Sequence, residues 1–576
     1  LSLNNKEITE LIESQTVAQN FLDQSLRSPD SVALKWKVSD GWDQLTYKEL
    51  SVSVAKVCTA LTEKGLNTGD QIVLMMKNRS EFHILDLAAL FLGVTPVSIY
   101  NTSAAEQVSN ILKTTEAKMG FVEDSFSECF MAAESNNSDF LCCTIGGSEN
   151  ADFVFSDLLD SEPADLQKLA SATKDDALAT LIFTSGTTGE PKGVMLDNKN
   201  ISWTVACLRN VLKLDHYVGV RLISYLPMAH IAERMVSHYV SLLSGFEVIC
   251  CPDPTLVADY ARDVKPNILF GVPRVYEKVF TKVNAILNPD QNATGFAKFK
   301  GNLVAKLKVK FFSKKIQEKI GLDELIIAVS GGAPLAPEIM EWFHSIKVPL
   351  SEIYGLSETS GPLTWDPFEV KVGSAGRPCV GTELKLASDG EILCRGGNIF
   401  RGYFADPGKT AEVLDSDGWF STGDIGEIDD QGYLKVVDRK KEIIVTSGGK
   451  NISPCALENS LKLISLVDQA IAVGDDKKFV SALVTLDTPA VESWLDSKNI
   501  KYESETDFSV NDLVVAEVNR ELKEVMQPYS SAESVRKMIV LSDAWLPDSD
   551  VLTATSKLKR RVIHKKYSAE IDSIYK

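Results

Sequence analysis

The sequence predicts an α/β fold: a large N-terminal domain of α/β layers that carries a β-rich subdomain, followed by a small α+β C-terminal domain. Three features of the chain point there. Its 576 residues exceed a typical domain of ~150 residues about fourfold, which calls for at least two cores. From about residue 30 to 290, short β-branched runs alternate with longer amphipathic stretches, the pattern of helices layered on largely parallel strands. After about residue 370 the texture changes to closely spaced strands with turn signals between them, which marks a separate β-rich unit.

Along the chain, apolar β-branched runs predict strands at Gln71–Met76, Thr95–Tyr100, Leu181–Thr184, Val248–Cys251 and Ile268–Phe270. Helical periodicity predicts helices such as Leu50–Leu61 and Glu81–Leu92 between them. A further core strand, Leu325–Ser330, runs into Gly331-Gly332-Ala333-Pro334, where glycine lets the backbone approach a ligand closely. The Asp-Gly signal after Ser388 and the turn after Asp429 predict hairpins in the β-rich subdomain, about 370–437. The charged run Asp438-Arg439-Lys440-Lys441-Glu442 precedes a return of mixed patterns. The boundary is therefore expected there, giving domains 1–440 and 441–576.

The composition, 44% hydrophobic and 24% charged, is that of a folded globular chain, which excludes a low-complexity protein. A net charge of −19 opposes attraction to phosphate backbones, so nucleic acid is not an expected partner. The ten cysteines contain no Cys-x-x-Cys, the usage of buried thiols in a reducing, cytoplasmic compartment. The longest apolar stretches, Ile84–Tyr100 and Tyr239–Cys251, are short and interrupted by Asp86 and Glu247, so no transmembrane helix is expected. The N-terminal residues, Leu1-Ser-Leu-Asn-Asn-Lys-Glu, lack the apolar core of a signal peptide. Lys298–Lys319 reverses the local charge with eight lysines against Glu318, interleaved with Phe299, Leu303, Leu307, Phe311, Phe312 and Ile316. Its plainer reading is a solvated basic helix, and its alternative is peripheral contact with an anionic membrane.

The strongest local signal is Leu181-Ile-Phe-Thr-Ser-Gly-Thr-Thr-Gly-Glu-Pro-Lys-Gly193. A strand that runs into hydroxyls, glycines and one lysine offers phosphate oxygens backbone N–H groups, Ser/Thr hydroxyls and an ammonium. Pro191 stands where the common P-loop requires glycine.

This loop resembles the phosphate-binding signature of the AMP-forming adenylating superfamily, which includes acyl-CoA synthetases, peptide-synthetase adenylation domains and beetle luciferases. Its other motifs follow in order: Tyr225-Leu-Pro-Met-Ala-His230, Ser330-Gly-Gly-Ala-Pro-Leu335, Tyr354-Gly-Leu-Ser-Glu358, Gly418-Trp-Phe-Ser-Thr-Gly-Asp424, Asp438-Arg439 and Lys557. The resemblance spans essentially the whole chain. It implies an ATP/AMP site built from Thr184, Ser185, Gly186, Thr187, Thr188, Gly189, Lys192, Gly331, Gly332, Ala333, Tyr354, Gly355, Ser357, Asp424 and Arg439. Within it, Tyr354 would face adenine and Asp424 would accept from the ribose hydroxyls.

It further implies Glu358, with Thr187, as the residues for Mg2+, and His230 beside the acyl carboxylate. Lys557 becomes the catalytic lysine; the basic pair Arg560–Arg561 selects it over Lys559, although Ser556 replaces the usual glycine. The C-terminal domain would be mobile about Lys441, and Ser447, Gly448 and Gly449 would line the CoA path. The implied reaction uses ATP to convert a carboxylate to acyl-AMP with release of pyrophosphate, then transfers the acyl group to CoA. Gly271-Val-Pro-Arg-Val-Tyr-Glu-Lys278 and Tyr354-Gly-Leu-Ser-Glu-Thr-Ser-Gly361 are similar to the long-chain branch, including bubblegum-type enzymes, and imply a long-chain fatty acid. Alternatives are transfer to a carrier protein or another acceptor, a medium-chain substrate, or a non-enzymatic nucleotide-binding protein on the same fold.

Overall fold

The structure, a computed structural model, describes residues 5–12, 15–133, 135, 137–147, 151–184, 191–212, 218–287, 313–503, 507–546, 549–553 and 557–576. Two eight-stranded sheets dominate the N-terminal part. One runs, edge to edge, through Gly361–Trp365, Leu350–Leu356, Ile327–Gly331, Ile268–Gly271, Arg221–Ser224, Glu247–Cys250, Val32–Val38 and Gly41–Thr46. The other runs through Gly402–Tyr403, Lys192–Asp197, Leu178–Thr184, Thr95–Ser98, Gln71–Met75, Met119–Glu123, Leu141–Ile145 and Phe153–Val154. The interior strands are parallel and near-continuously apolar, as strands covered on both faces must be.

The expected strands are therefore present, each shifted by a few residues at most. The departures from parallel pairing are at the edges. Gly361–Trp365 folds back on Leu350–Leu356, and Lys192–Asp197 folds back on Leu178–Thr184. Gly402–Tyr403, reached more than two hundred residues later, adds antiparallel to Lys192–Asp197.

Helix Tyr47–Glu63 opens with a capping box in which Thr46 and Glu49 satisfy each other's backbone. Helix Ser80–Leu92 is buried on nearly all sides and ends at Gly93 in the left-handed region. A four-stranded antiparallel sheet, Glu383–Leu386, Glu391–Arg395, Phe420–Ile428 and Leu434–Arg439, follows the two large ones. The last part of the chain builds its own core around the three strands Val467–Val473, Val480–Leu486 and Val535–Val540. Asp438 ties this part to the preceding sheet, accepting from Ser453 Oγ at 2.6 Å and from the Cys455 N–H at 2.9 Å, at the start of helix Pro454–Leu461.

The ten cysteines, all among the described residues, are free. Among the described residues no helix is long and apolar enough to cross a membrane. Residues 298–312 of the basic stretch lie outside the described residues.

Candidate active site

A cleft of about 2400 Å³ is lined by both large sheets, the four-stranded sheet and the segment after residue 440. Single-ligand pockets measure ~300–1,000 Å³, so this one has room for several substrate-sized groups together. Thr184, Lys192, His230, Gly331, Gly332, Ala333, Tyr354, Gly355, Ser357, Glu358, Asp424, Arg439, Lys441 and Lys557 all line it. Ser447, Gly448 and Gly449 do not; they sit exposed on the turn closed by the Gly449 N–H donating to the Thr446 carbonyl at 2.8 Å. Ser185, Gly186, Thr187, Thr188 and Gly189 lie outside the described residues.

The hairpin of Leu178–Thr184 and Lys192–Asp197 sets Thr184 opposite Lys192 in register, so both stand at the base of the glycine-rich loop. The Lys192 ammonium lies 4.7 Å from the ring centroid of Tyr403, a cation–π contact. The Tyr403 hydroxyl donates to Glu358 Oε1 at 2.8 Å. Tyr403 was not expected from the sequence; the only local signal is the Gly402-Tyr403 pair after a buried Phe400.

Asp424 faces Arg439 across the strand pair Phe420–Ile428 and Leu434–Arg439. Its Oδ1 accepts from Arg439 Nε at 2.8 Å and its Oδ2 from the Tyr354 hydroxyl at 2.6 Å. Burial pushes the Asp424 pKa up while Arg439 opposes the shift. An ionised carboxylate accepts about four hydrogen bonds, so Asp424 keeps capacity for further donors. The Tyr354 ring is fixed at the cleft wall by the same bond.

Glycine is required at two of the lining positions for different reasons. A Cβ at Gly355 would lie 1.8 Å from the Gly361 carbonyl oxygen, so the strand pair itself excludes any side chain. Gly332 has φ +86°, and an added Cβ would meet only Val272 Cγ1 at an ordinary 3.9 Å, so its constraint is conformational.

His230 caps a short helical turn, its Nδ1 accepting from the Ala232 N–H at 3.2 Å. Burial, helped by the charge of Lys557, pulls the imidazole pKa down to about 3. The ring is neutral at ordinary pH, with the proton on Nε2, the nitrogen left to donate. Lys557 is exposed to the cleft, whose walls stand around its ammonium. That enclosure, followed by the Arg439 charge, lowers its pKa, and Asp424, Glu358 and Glu442 resist the change. Lys559 instead donates to the Ser549 carbonyl at 2.9 Å. The segment is fixed by Arg560, whose Nη atoms donate to both oxygens of buried Glu458 at 2.6 and 2.7 Å and whose Nε donates to Glu442 at 2.9 Å.

No group of three or more His, Cys, Asp or Glu side chains among the described residues would hold a metal by itself. Glu358 presents one carboxylate with a single oxygen engaged by Tyr403. That donor set fits Mg2+, which keeps few protein ligands and takes the rest from phosphate and water.

The model of the AMP-binding enzyme family matches residues 21–404, and that of the AMP-binding enzyme C-terminal domain matches residues 441–576. Long-chain-fatty-acid–CoA ligase FadD15 of Mycobacterium tuberculosis is 33% identical over 594 residues, covering 98% of this chain and 97% of that protein. Long-chain-fatty-acid–CoA ligase ACSBG2 of Xenopus laevis is 30% identical over 617 residues, covering 97% and 84%. Among solved structures, the adenylation domain of a Mycobacterium chelonae carboxylate reductase superposes with a TM-score of 0.79 at 21% identity, covering 100% of this chain and 93% of that one. Anthranilate CoA ligase AuaEII in complex with anthranoyl-AMP gives 0.76 at 19% identity, covering 98% and 99%.

Proposed function

This chain belongs to the AMP-binding enzyme family, and on that premise we propose that it activates a long-chain fatty acid with ATP and transfers the acyl group to CoA. In the first step a carboxylate oxygen attacks the α-phosphorus, the α–β phosphoanhydride bond breaks, and pyrophosphate leaves. In the second the CoA thiolate attacks the acyl carbon and AMP leaves. The observation that carries this reading is that one cleft gathers Lys192, Glu358, Asp424, Arg439, His230 and Lys557 from positions spread over the chain.

Each side chain has a task that its setting supports. Asp424, held by Arg439 and Tyr354, would accept from the ribose, and Tyr354 would present its fixed ring to adenine between the Gly331–Ala333 backbone and the strand behind it. Lys192 at the loop base would meet phosphate. Glu358 would hold Mg2+, which when bound supplies positive charge at the phosphoryl oxygens. Neutral His230 would donate from Nε2 to the acyl carboxylate. Lys557, its ammonium among Asp424, Glu358 and Arg439, would stabilise charge that builds between carboxylate and α-phosphate. Residues 441–576 form the unit that delivers it, turning about Lys441; the position of Ser447, Gly448 and Gly449 outside the cleft accords with a second orientation for the thiol step.

The test is incubation with Mg-ATP and a mixture of acids from acetate to very long chains, with and without CoA, followed by mass spectrometry. Long-chain acyl-CoA is expected to dominate. Acyl-AMP that accumulates and ignores CoA would redirect the reading to another acceptor, and the absence of any adenylate would overturn it.

A further inference from the structure

Tyr403 touches two groups that come from distant parts of the chain. Its hydroxyl meets the Glu358 carboxylate at 2.8 Å and its ring lies under the Lys192 ammonium at 4.7 Å. The side chain is buried, 5% exposed, and packs on Phe400 with ring centroids 5.0 Å apart.

The backbone around it is pinned on every side. The Phe400 N–H donates to the Glu358 carbonyl at 2.9 Å, the Arg401 N–H to Met195 at 3.1 Å and the Phe404 N–H to Gly193 at 2.8 Å. The Tyr403 N–H donates to Thr410 Oγ1 at 2.9 Å, and Asn200 holds the Gly397 and Ile399 carbonyls at 2.8 and 2.9 Å. A segment anchored this way has one geometry to offer, and it spends its single aromatic hydroxyl on the carboxylate. Packing alone would be satisfied by phenylalanine.

We propose that Tyr403 is a positioning residue that couples Lys192 to Glu358, so that the placing of a polyphosphate and the placing of its divalent cation support one another. This rests on the reading of the cleft as a Mg-ATP site. The hydroxyl restricts Glu358 to the rotamer that faces the loop base, and the ring holds Lys192 beside it.

Tyr403→Phe removes the hydroxyl and keeps the ring; Tyr403→Leu removes both. Two readouts separate coupling from structure: the free Mg2+ that gives half-maximal pyrophosphate release, and ATP binding by calorimetry in EDTA. Tyr403→Phe is expected to raise the Mg2+ requirement about 10-fold with metal-free ATP binding unchanged and only a small fall in thermal midpoint. Tyr403→Leu is expected also to weaken metal-free ATP binding about 3-fold. In a Glu358→Gln background, Tyr403→Phe should add nothing to the Mg2+ requirement, since residues that act through one another are non-additive. An unaltered Mg2+ dependence in Tyr403→Phe, or additivity with Glu358→Gln, overturns the coupling while an active wild type keeps the Mg-ATP reading. A wild type that neither binds ATP nor releases pyrophosphate overturns both.

Discussion

Lys557 and Lys559 are near neighbours in sequence but meet different surroundings. Both line the cleft, but Lys559 is spent on a backbone carbonyl, whereas the charges nearest Lys557 are those of Arg439, Asp424 and Glu358. Removal of Lys557 by Lys557→Ala is expected to slow acyl-AMP formation by about 10²–10³-fold, the usual cost of a donor to developing charge, while thioester formation from supplied acyl-AMP changes little. Pyrophosphate release and thiol consumption measure the two halves; an equal loss in both would show that the lysine does not serve the first step alone. Lys559→Ala is expected to leave both rates nearly intact. Most cleft residues were legible because they lie in contiguous motifs. Tyr403 and Arg560 were not, because their roles come from a strand pairing and an ion pair between distant segments, and no local spacing records either.

At the scale of elements, the turn after His230 is anchored twice by the residues that follow. Glu233 accepts from Ser224 Oγ at 2.8 Å and from Asn78 Nδ2 at 3.4 Å. Arg234 pairs with Asp86 and donates to Ser98 and to Tyr239, inside a π-helical stretch, Arg234–Val240. Burial pushes the Glu233 pKa up to about 7. Between the ordinary carboxyl range and pH 7, the unfolded chain therefore loses its proton first, and native stability falls as pH rises. Each pKa unit separating the two states is worth about 1.4 kcal/mol, and the loss is complete above the folded pKa. Glu233→Gln cannot titrate, so its thermal midpoint should gain on the wild type between pH 5 and pH 8; a constant gap would show that Glu233 ionises normally. The parallel core strands were readable as apolar runs. The two-residue strand Gly402–Tyr403 and the π-helical stretch carry no period of their own, and only the fold reveals them.

Across the whole molecule, the segment after residue 440 is held to the N-terminal part by a small polar latch. Arg274 pairs with Asp468, Lys462 Nζ lies 3.3 Å from Glu277 Oε1, and Asn459 Nδ2 donates to the Pro334 carbonyl at 3.2 Å. Half-buried pairs of this kind are worth about 1 kcal/mol each, enough to bias an orientation without locking it. Asp468→Ala is expected to lower the rate of acyl-AMP formation about 3- to 5-fold and to spare the thioester step, with faster tryptic cleavage between Arg439 and Lys450. Unchanged cleavage and rates would show that the latch does not set the orientation.

The contact between Gly355 and Gly361 bears on how the cleft can change over evolutionary time. With a backbone oxygen where a first side-chain carbon would stand, that wall admits no drift at position 355, and every relative that preserves the strand pair inherits the same surface. Variation in what the cleft accepts enters more readily at lining positions such as Ile231, Val236, Phe270 and Val272, which already carry side chains. Libraries aimed at new acids belong at those four positions.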